Sequence, residues 1–391
     1  MNQLENEALY ELLRIAVDNN GSRRSLSHNL SSEAWKKLHI ECIKNLLVGV
    51  VYRAISLLPR EQQPPLEIAF QWASEAETIK GQNRLLNAEA ARLTELFAAQ
   101  GRKTAVLKGP ANACLYPDPY MRQVGDIDLW VDGGRKSVLD LLKNMGYEIP
   151  EKDLVVPHHV HLHPVENDIP VEIHFRPSSG IWNPFSGARL LRFLEKEIQN
   201  VERVSEGFCV PTMKFALVMQ LAHIQRHFVS GGIGFKQIID YYILLVHSTE
   251  DDLREISNRL SEFGLLHGCR ALMWVLGNVF GLDKSKMLCK PNEKSGRKML
   301  AVILEGGNFG FYAAERLKDS SMNVLLRWLK HRLFFVRKMW YSPFEVLCRE
   351  LDYWFHFIKT IGLRIKTRRF SLWSMYHNKA NSDRRKSLCE K

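Results

Sequence analysis

Long apolar runs are missing from this 391-residue chain. No stretch reaches the ~18 uncharged apolar residues that a transmembrane helix needs, so none is expected. The first twenty residues are acidic early and lack the basic-then-apolar order of a secretory leader. The 7 cysteines are scattered, odd in number and never spaced as Cys-x-x-Cys. That argues against a disulfide framework or a zinc knuckle and for reduced thiols in a cytoplasm. Internal repeats and low-complexity linkers are absent too. What remains, 46% hydrophobic and 25% charged residues, is the composition of an ordinary globular protein. Domains of about 100–200 residues would divide the length into two or three units.

The net charge of +11 is unevenly placed. From Phe311 onward there are 18 Lys and Arg against 7 Asp and Glu, so the first 310 residues are neutral. Any partner selected by positive charge is therefore sought by the C-terminal fifth.

Periodicity divides the chain. Helical spacing covers Leu4 to Val17, Ser32 to about Leu58, and the stretch from Pro65 to about Gln100, where Gly101 stops it. The period then shortens. Thr104 to Leu107 reads as a buried strand entering a Lys-Gly-Pro turn, and Pro110 to Leu115 as a short helix. Asp126 to Val131 alternates as a strand, Lys136 to Asn144 is helical, and Gly146 to Ile149 begins another strand. His159 to His163 and Val171 to Phe175 alternate about a hairpin turn at Asn167-Asp168. Helices return after about residue 188, at Thr212 to Phe228, Phe235 to His247, Asp251 to Phe263 and His267 to Val279. The expected fold is α+β: a small mixed sheet over residues 101–188, with helical regions over 1–100 and 189–310. A basic, aromatic-rich helical region follows over 311–391.

The chemistry concentrates on acidic residues. Asp126 and Asp128 are two apart on a strand, so they share a face while Ile127, Leu129 and Val131 face the core. Glu172 occupies the polar face of a later strand between Val171 and Ile173. Carboxylates from two strands suit Mg²⁺ or Mn²⁺, which keep waters and take substrate phosphate oxygens. Such a site fits in-line attack on a nucleotide α-phosphate. Gly109 permits close backbone approach, Lys108 offers a point charge to phosphate, and Arg122 could do the same from the loop.

The stretch LKGPANACLYPDPYMRQVGDIDLWV, followed by VEIHFRP, resembles the poorly characterised bacterial nucleotidyltransferase family within the polymerase-β-like superfamily. The resemblance covers roughly residues 103–177 and extends through HIQRHFVSGGIGFKQIIDYYILL. It implies a nucleotidyltransferase core that moves an NMP from an NTP to a hydroxyl or phosphate acceptor, releasing pyrophosphate. Asp126, Asp128 and Glu172 would hold the metals. Lys108, Gly109, Arg122 and Gly125 would meet the nucleotide, Gly125 having strand entry as its other role. Pro110 stands where better-known members of the superfamily carry Ser or Gly. It removes one N–H and implies altered phosphate binding. A catalytically inactive nucleotide-binding or regulatory protein on the same fold is the rival reading.

The histidines allow two roles. His159, His161 and His163 alternate on one strand face near His174, which suits either zinc or a polar lining of the cleft beside Glu172. With no Cys among them and no known zinc spacing, cleft lining is favoured. A zinc hydrolase would show itself by tightly bound zinc. His223 and His227 lie four apart on a helix, with Asp240 on the next. No Glu follows His223 as in a metalloprotease, so packing of the helical region against the core is favoured over ligation. The basic tail interleaves Trp328, Phe334, Phe335, Trp340, Trp354, Phe355, Phe357 and Trp373 with Lys and Arg. Nucleic acid, an anionic membrane surface, or core packing with snorkelling basic stems would each use such a pattern, and packing is favoured. A cytoplasmic protein is expected, with peripheral membrane association as the alternative.

Overall fold

The computed structural model describes residues 2–18, 21, 24–123, 125–150, 153, 156–162, 169–308 and 324–366. His163 and the expected Asn167-Asp168 turn lie outside the described residues, as does Trp373.

The N-terminal helices are α1 (Gln3–Val17), α2 (Ser32–Asn45), α3 (Val48–Leu57) and α4 (Leu66–Ala98). A reciprocal cap between Asn2 and Glu5 starts α1, and the Ser31 side chain caps α2. The single helix expected over Ser32 to Leu58 is broken. Leu46 adopts the left-handed conformation (φ 56) and ends α2, with the Leu47 N–H bonded back to the Cys42 carbonyl. The break turns α3 so that Gly49 abuts the backbone of Met121, where a Cβ would lie 2.3 Å from the carbonyl oxygen.

Helix α4 is the spine of the molecule. Its 33 residues span about 50 Å. Its first half, through Ile68, Trp72 and Ile79, joins an apolar core shared by α1–α3 and the helices that follow the sheet. Its second half, through Leu86, Ala90, Leu93 and Phe97, packs on the sheet. The helices expected at the two ends of the mixed block therefore share one core.

The sheet has the order β1-β2-β4-β3, from β1 (Thr104–Val106), β2 (Ile127–Val131), β3 (His159–Leu162) and β4 (Val171–His174). Strands β1 and β2 are antiparallel, β2 and β4 parallel, and β3 and β4 antiparallel. The mixed sheet and flanking helices are the expected α+β class. Between β1 and β2 lies the one-turn helix α5 (Pro110–Ala113), and α6 (Gly134–Asn144) follows β2. Val106, Ile127, Leu129, Val131, Val160 and Ile173 face α4 and α6. The opposite face, which carries Ala105 and Trp130, looks towards the helical core. The strand expected from Gly146 to Ile149 does not form. That segment runs as irregular chain, with the Tyr147 N–H bonded to Leu142 at the end of α6 and with Tyr147 and Ile149 packed partly against the core.

After the sheet come α7 (Pro184–Glu197), a hairpin of β5 (Val201–Arg203) and β6 (Cys209–Pro211), then α8 (Met213–Ser230) and α9 (Phe235–His247). Helices α10 (Glu250–Arg259), α11 (Leu266–Val275) and α12 (Glu293–Gly306) complete the body. The hairpin was not anticipated. Two further helices, Val324–Val336 and Pro343–Lys366, carry the C-terminal aromatics. Phe335 and Tyr353 are buried, with the guanidinium of Arg349 over the Phe335 ring and that of Arg332 over Tyr353. Leu351, Phe355 and Ile358 are exposed. Among the described residues no helix is long and apolar enough to cross a membrane.

The close approach of Gly49 to Met121 predicts that Gly49→Ala forces two backbones apart. A loss of about 2 kcal/mol or more in urea unfolding is expected, as for overpacking in a rigid core. An unchanged midpoint would show that α3 does not brace this loop.

Candidate active site

Register builds the site. In the parallel pair β2–β4, Asp128 stands opposite Glu172 and Trp130 opposite His174. In the antiparallel pair β3–β4, His161 stands opposite Glu172 and His159 opposite His174. Because alternate side chains share a face, Asp128, Glu172, His159, His161 and His174 all project towards the helical body. Asp126 lies just before β2, and its side chain is 33% exposed against 2% for Asp128. The three carboxylates expected to converge thus occupy one side of the sheet.

Buried like charges need compensation, and the chain supplies it. Lys108, at the end of β1, forms an ion pair with Asp128 and lies 4.0 Å from Asp126. His174 Nε2 is 3.0 Å from Asp128 Oδ1 and 3.6 Å from Glu172 Oε2. Glu172 Oε1 is 3.1 Å from His161 Nε2. Burial alone would raise the Asp128 pKa, but Lys108 and His174 outweigh it and hold the group below its ordinary value. Glu172 is lowered in the same way, against burial, by its hydrogen bonds to His161 and His174. Burial and the Asp128 charge leave Asp126 raised. Burial opposes protonation of His174, yet its bonds to Asp128 and Glu172 push it up to about 9.

The turn after β1 is shaped by Gly109, at φ 67, where a Cβ would meet the Asp126 carbonyl oxygen at 3.4 Å. Gly109 caps α5, and Pro110 fills its first position. Gly125 is exposed, and a Cβ there would lie 3.7 Å from Lys236 Nζ.

A family model described as an uncharacterised nucleotidyltransferase matches residues 31–281. The chain belongs to this family. No curated protein and no solved structure matches it. The matched span runs from the start of α2 past the end of α11, so the family region includes the helices on both sides of the sheet as well as the sheet itself.

That body reaches the site through Arg122. The guanidinium donates from Nε and Nη2 to the two carboxylate oxygens of Asp240 on α9, at 2.7 Å each. The Tyr116 hydroxyl donates to the same carboxylate at 2.7 Å. Arg122 and Asp240 are both buried. Asn83 of α4 donates to the Tyr120 and Arg122 carbonyls, so the loop before Asp126 is held from both sides. Arg122, expected at the triphosphate, thus spends its fork on Asp240. Its remaining Nη1 points to the Gly109 turn, 4.0 Å from where a Cβ would stand.

His223 and His227 lie on one face of α8, with ring centroids 4.2 Å apart and the rings tilted by 53°. Burial holds both well below the ordinary imidazole pKa, His227 at about 3, and the charge of Lys108 adds to the effect. They stand across the cleft from the carboxylates as neutral rings.

Three residues of the site escaped sequence reasoning. Asp153 bonds His161, Tyr116 bonds Asp240, and Lys236, one turn before Asp240 on α9, sits by Gly125. Burial and the neighbouring Arg122 charge lower the Lys236 pKa to about 7. The i,i+4 spacing of Lys236 and Asp240 on an otherwise apolar helix face was the available signal for Lys236.

Removing Asp240 strands a buried guanidinium. Asp240→Ala is expected to cost about 3–5 kcal/mol in chemical denaturation, and a loss under 1 kcal/mol would contradict the clamp. A second prediction concerns pH. The folded His174 pKa of about 9 exceeds the unfolded value near 6.5. Its stabilisation is therefore full below about pH 6.5 and lost as pH rises through 9. Lys236, depressed to about 7, works in the opposite sense, since stability rises as the unfolded lysine keeps its proton. The informative quantity is the stability difference between the metal-free protein and its His174→Gln variant. It should shrink between pH 6.5 and 9, and a pH-independent difference would refute the assignment.

Proposed function

We propose that this protein transfers an NMP from an NTP to a hydroxyl or phosphate acceptor and releases pyrophosphate, using Mg²⁺ or Mn²⁺ held by Asp126, Asp128 and Glu172. The observation that carries this is the pairing of Asp128 with Glu172 across parallel strands, with Asp126 beside them at the mouth of the cleft. The donors fit such an ion. Asp128 and Glu172 stand opposite each other on parallel strands, Asp126 is the partly exposed carboxylate beside them, and the carboxylates already gather cationic groups around them. A bound divalent ion would lower the pKa of the attacking hydroxyl and neutralise charge on the leaving pyrophosphate.

The chain's own groups position and neutralise. His174 and His161 hold the Asp128 and Glu172 carboxylates in fixed orientation and ionised. Lys108 exchanges the carboxylates for the triphosphate when nucleotide enters, as a point charge on a long stem. The Gly109 turn lets backbone approach the phosphates without a side chain in the way. Lys236 and the Nη1 edge of Arg122 add positive charge on the same side. Glu172, on β4 between β2 and β3, would assist deprotonation of the acceptor.

One feature favours the rival, a catalytically inactive nucleotide-binding or regulatory protein. Pro110 removes a phosphate-facing N–H at the start of α5. Calorimetry with NTP and Mg²⁺, run beside a pyrophosphate-release assay, separates the two, because binding without release selects the rival. The scattered free cysteines accord with a cytoplasmic site of action. The basic C-terminal region is proposed to meet nucleic acid or an anionic membrane surface, either of which its charge would serve.

Asp126→Asn changes one partly exposed oxygen and should leave the melting curve in place. Pyrophosphate release is expected to fall by at least about 100-fold, since the site's electrostatics act directly on the transferring group. Release that survives the substitution would remove Asp126 from the chemistry.

A further inference from the structure

Glu172 faces two histidines as well as the aspartates. Its Oε1 lies 3.1 Å from His161 Nε2, and its Oε2 lies 3.8 Å from His159 Nε2. The ligand atoms of these three residues fall within 4.8 Å of one another. The β3–β4 register puts them there, because His159 and His161 are alternate residues of one strand facing Glu172 on the next.

A carboxylate stands behind one of these rings. Asp153 Oδ2 is 3.0 Å from His161 Nδ1 and also accepts the His161 backbone N–H at 3.2 Å. The Asp153 side chain is 4% exposed, so it is held in place and has little water to turn to. Its contact fixes the proton on Nδ1 and turns the Nε2 lone pair towards Glu172. A lone pair and a carboxylate oxygen at that separation need a cation between them, either a proton or a metal ion. A carboxylate bonded to the far nitrogen of the ring is the support that metal-ligating histidines ordinarily carry.

We propose that His159, His161 and Glu172 bind one divalent transition-metal ion of the zinc class, with Asp153 as the positioning residue for His161. Two imidazole nitrogens and one carboxylate oxygen favour zinc and other imidazole-binding transition metals over magnesium or manganese, which select oxygen. Three protein ligands leave a coordination position for water or a substrate oxygen. The site adjoins the Asp126–Asp128 pair and shares Glu172 with it, so a nitrogen-ligated ion sits on the β3 side and an oxygen-ligated one on the β2 side. The proposal concerns binding and stands whether or not nucleotidyl transfer is the activity.

The test uses the full-length protein stripped of metal and titrated with Zn²⁺ against a chromophoric chelator, in excess Mg²⁺. Wild type should take up one equivalent that Mg²⁺ does not displace. His159→Ala and His161→Ala should each weaken it by more than about tenfold, and Asp153→Asn, which keeps side-chain shape, by about 10–100-fold. Asp126→Asn removes a neighbouring charge but no ligand of this ion, so the Zn²⁺ equivalent should be retained. Circular dichroism melts of each variant separate lost binding from lost fold. Zn²⁺ that Mg²⁺ displaces, unchanged affinity in folded His161→Ala, or loss of the equivalent in Asp126→Asn would each overturn the assignment. Pyrophosphate release is read separately, so failure here does not touch the nucleotidyltransferase proposal.

Discussion

The parallel pairing of β2 with β4 is the constraint from which the rest follows. It sets Asp128 directly beside Glu172 on a face that looks into the protein, not into open water. Two carboxylates one strand apart repel, and burial removes the water that would screen them. The fold answers with cations from two directions, Lys108 from the turn after β1 and His174 from β4 itself, and with the His161 ring from β3. Each arrives by register or by the turn that follows a strand, so the compensation is built from sheet geometry and needs no long excursion of the chain.

A second constraint joins the sheet to the helices. The short strands, of three to five residues, make a small sheet that one apolar face alone would hold weakly. Helix α4 covers one face, and the helical body covers the other. The loop before Asp126 is where they meet. Its backbone is gripped by Asn83, its Arg122 by Asp240, and Met121 by the closeness of Gly49. The span matched by the nucleotidyltransferase family, residues 31–281, takes in all of these partners. The geometry of the acidic pair is thereby a property of that whole span.

Much of this was legible in the chain because it rests on local period. Asp126 to Val131 and Val171 to His174 alternate cleanly, so the faces of Asp128 and Glu172 could be read before any pairing was known. The boundaries of α4 followed from the prolines before it and Gly101 after it. The break at Leu46 was hidden because leucine gives no sign of a left-handed turn, and Asn45 and Gly49 beside it are tolerated within helices. The left-handed turn there is imposed by packing of α3 on the Met121 loop. The strand expected at Gly146 failed for want of a partner, its first N–H being taken by the end of α6. Arg122 pairs with Asp240, 118 positions away, and no spacing rule reaches that far. Asp153 stands only eight residues from His161, yet the link crosses irregular chain where period carries no information.

Lys108 ties these threads together. A cluster of carboxylates strong enough to hold divalent cations is also a cluster that destabilises the fold when no cation is there. Leaving a buried charge unpaired costs about 3–5 kcal/mol, a large share of a domain's stability. The folded chain therefore carries a resident cation, and one that must be able to leave if the carboxylates hold metal as proposed. A lysine suits this better than an arginine, because its ammonium is a single charge on a flexible stem and has no planar fork to satisfy. Arg122 shows the contrast at the same site: it grips Asp240 with two parallel bonds, whereas Lys108 meets Asp128 and Asp126 with a single ammonium that donates to Asp128. The division of labour between the two cations, one holding the loop and one guarding the carboxylates, follows from the shape of their head groups.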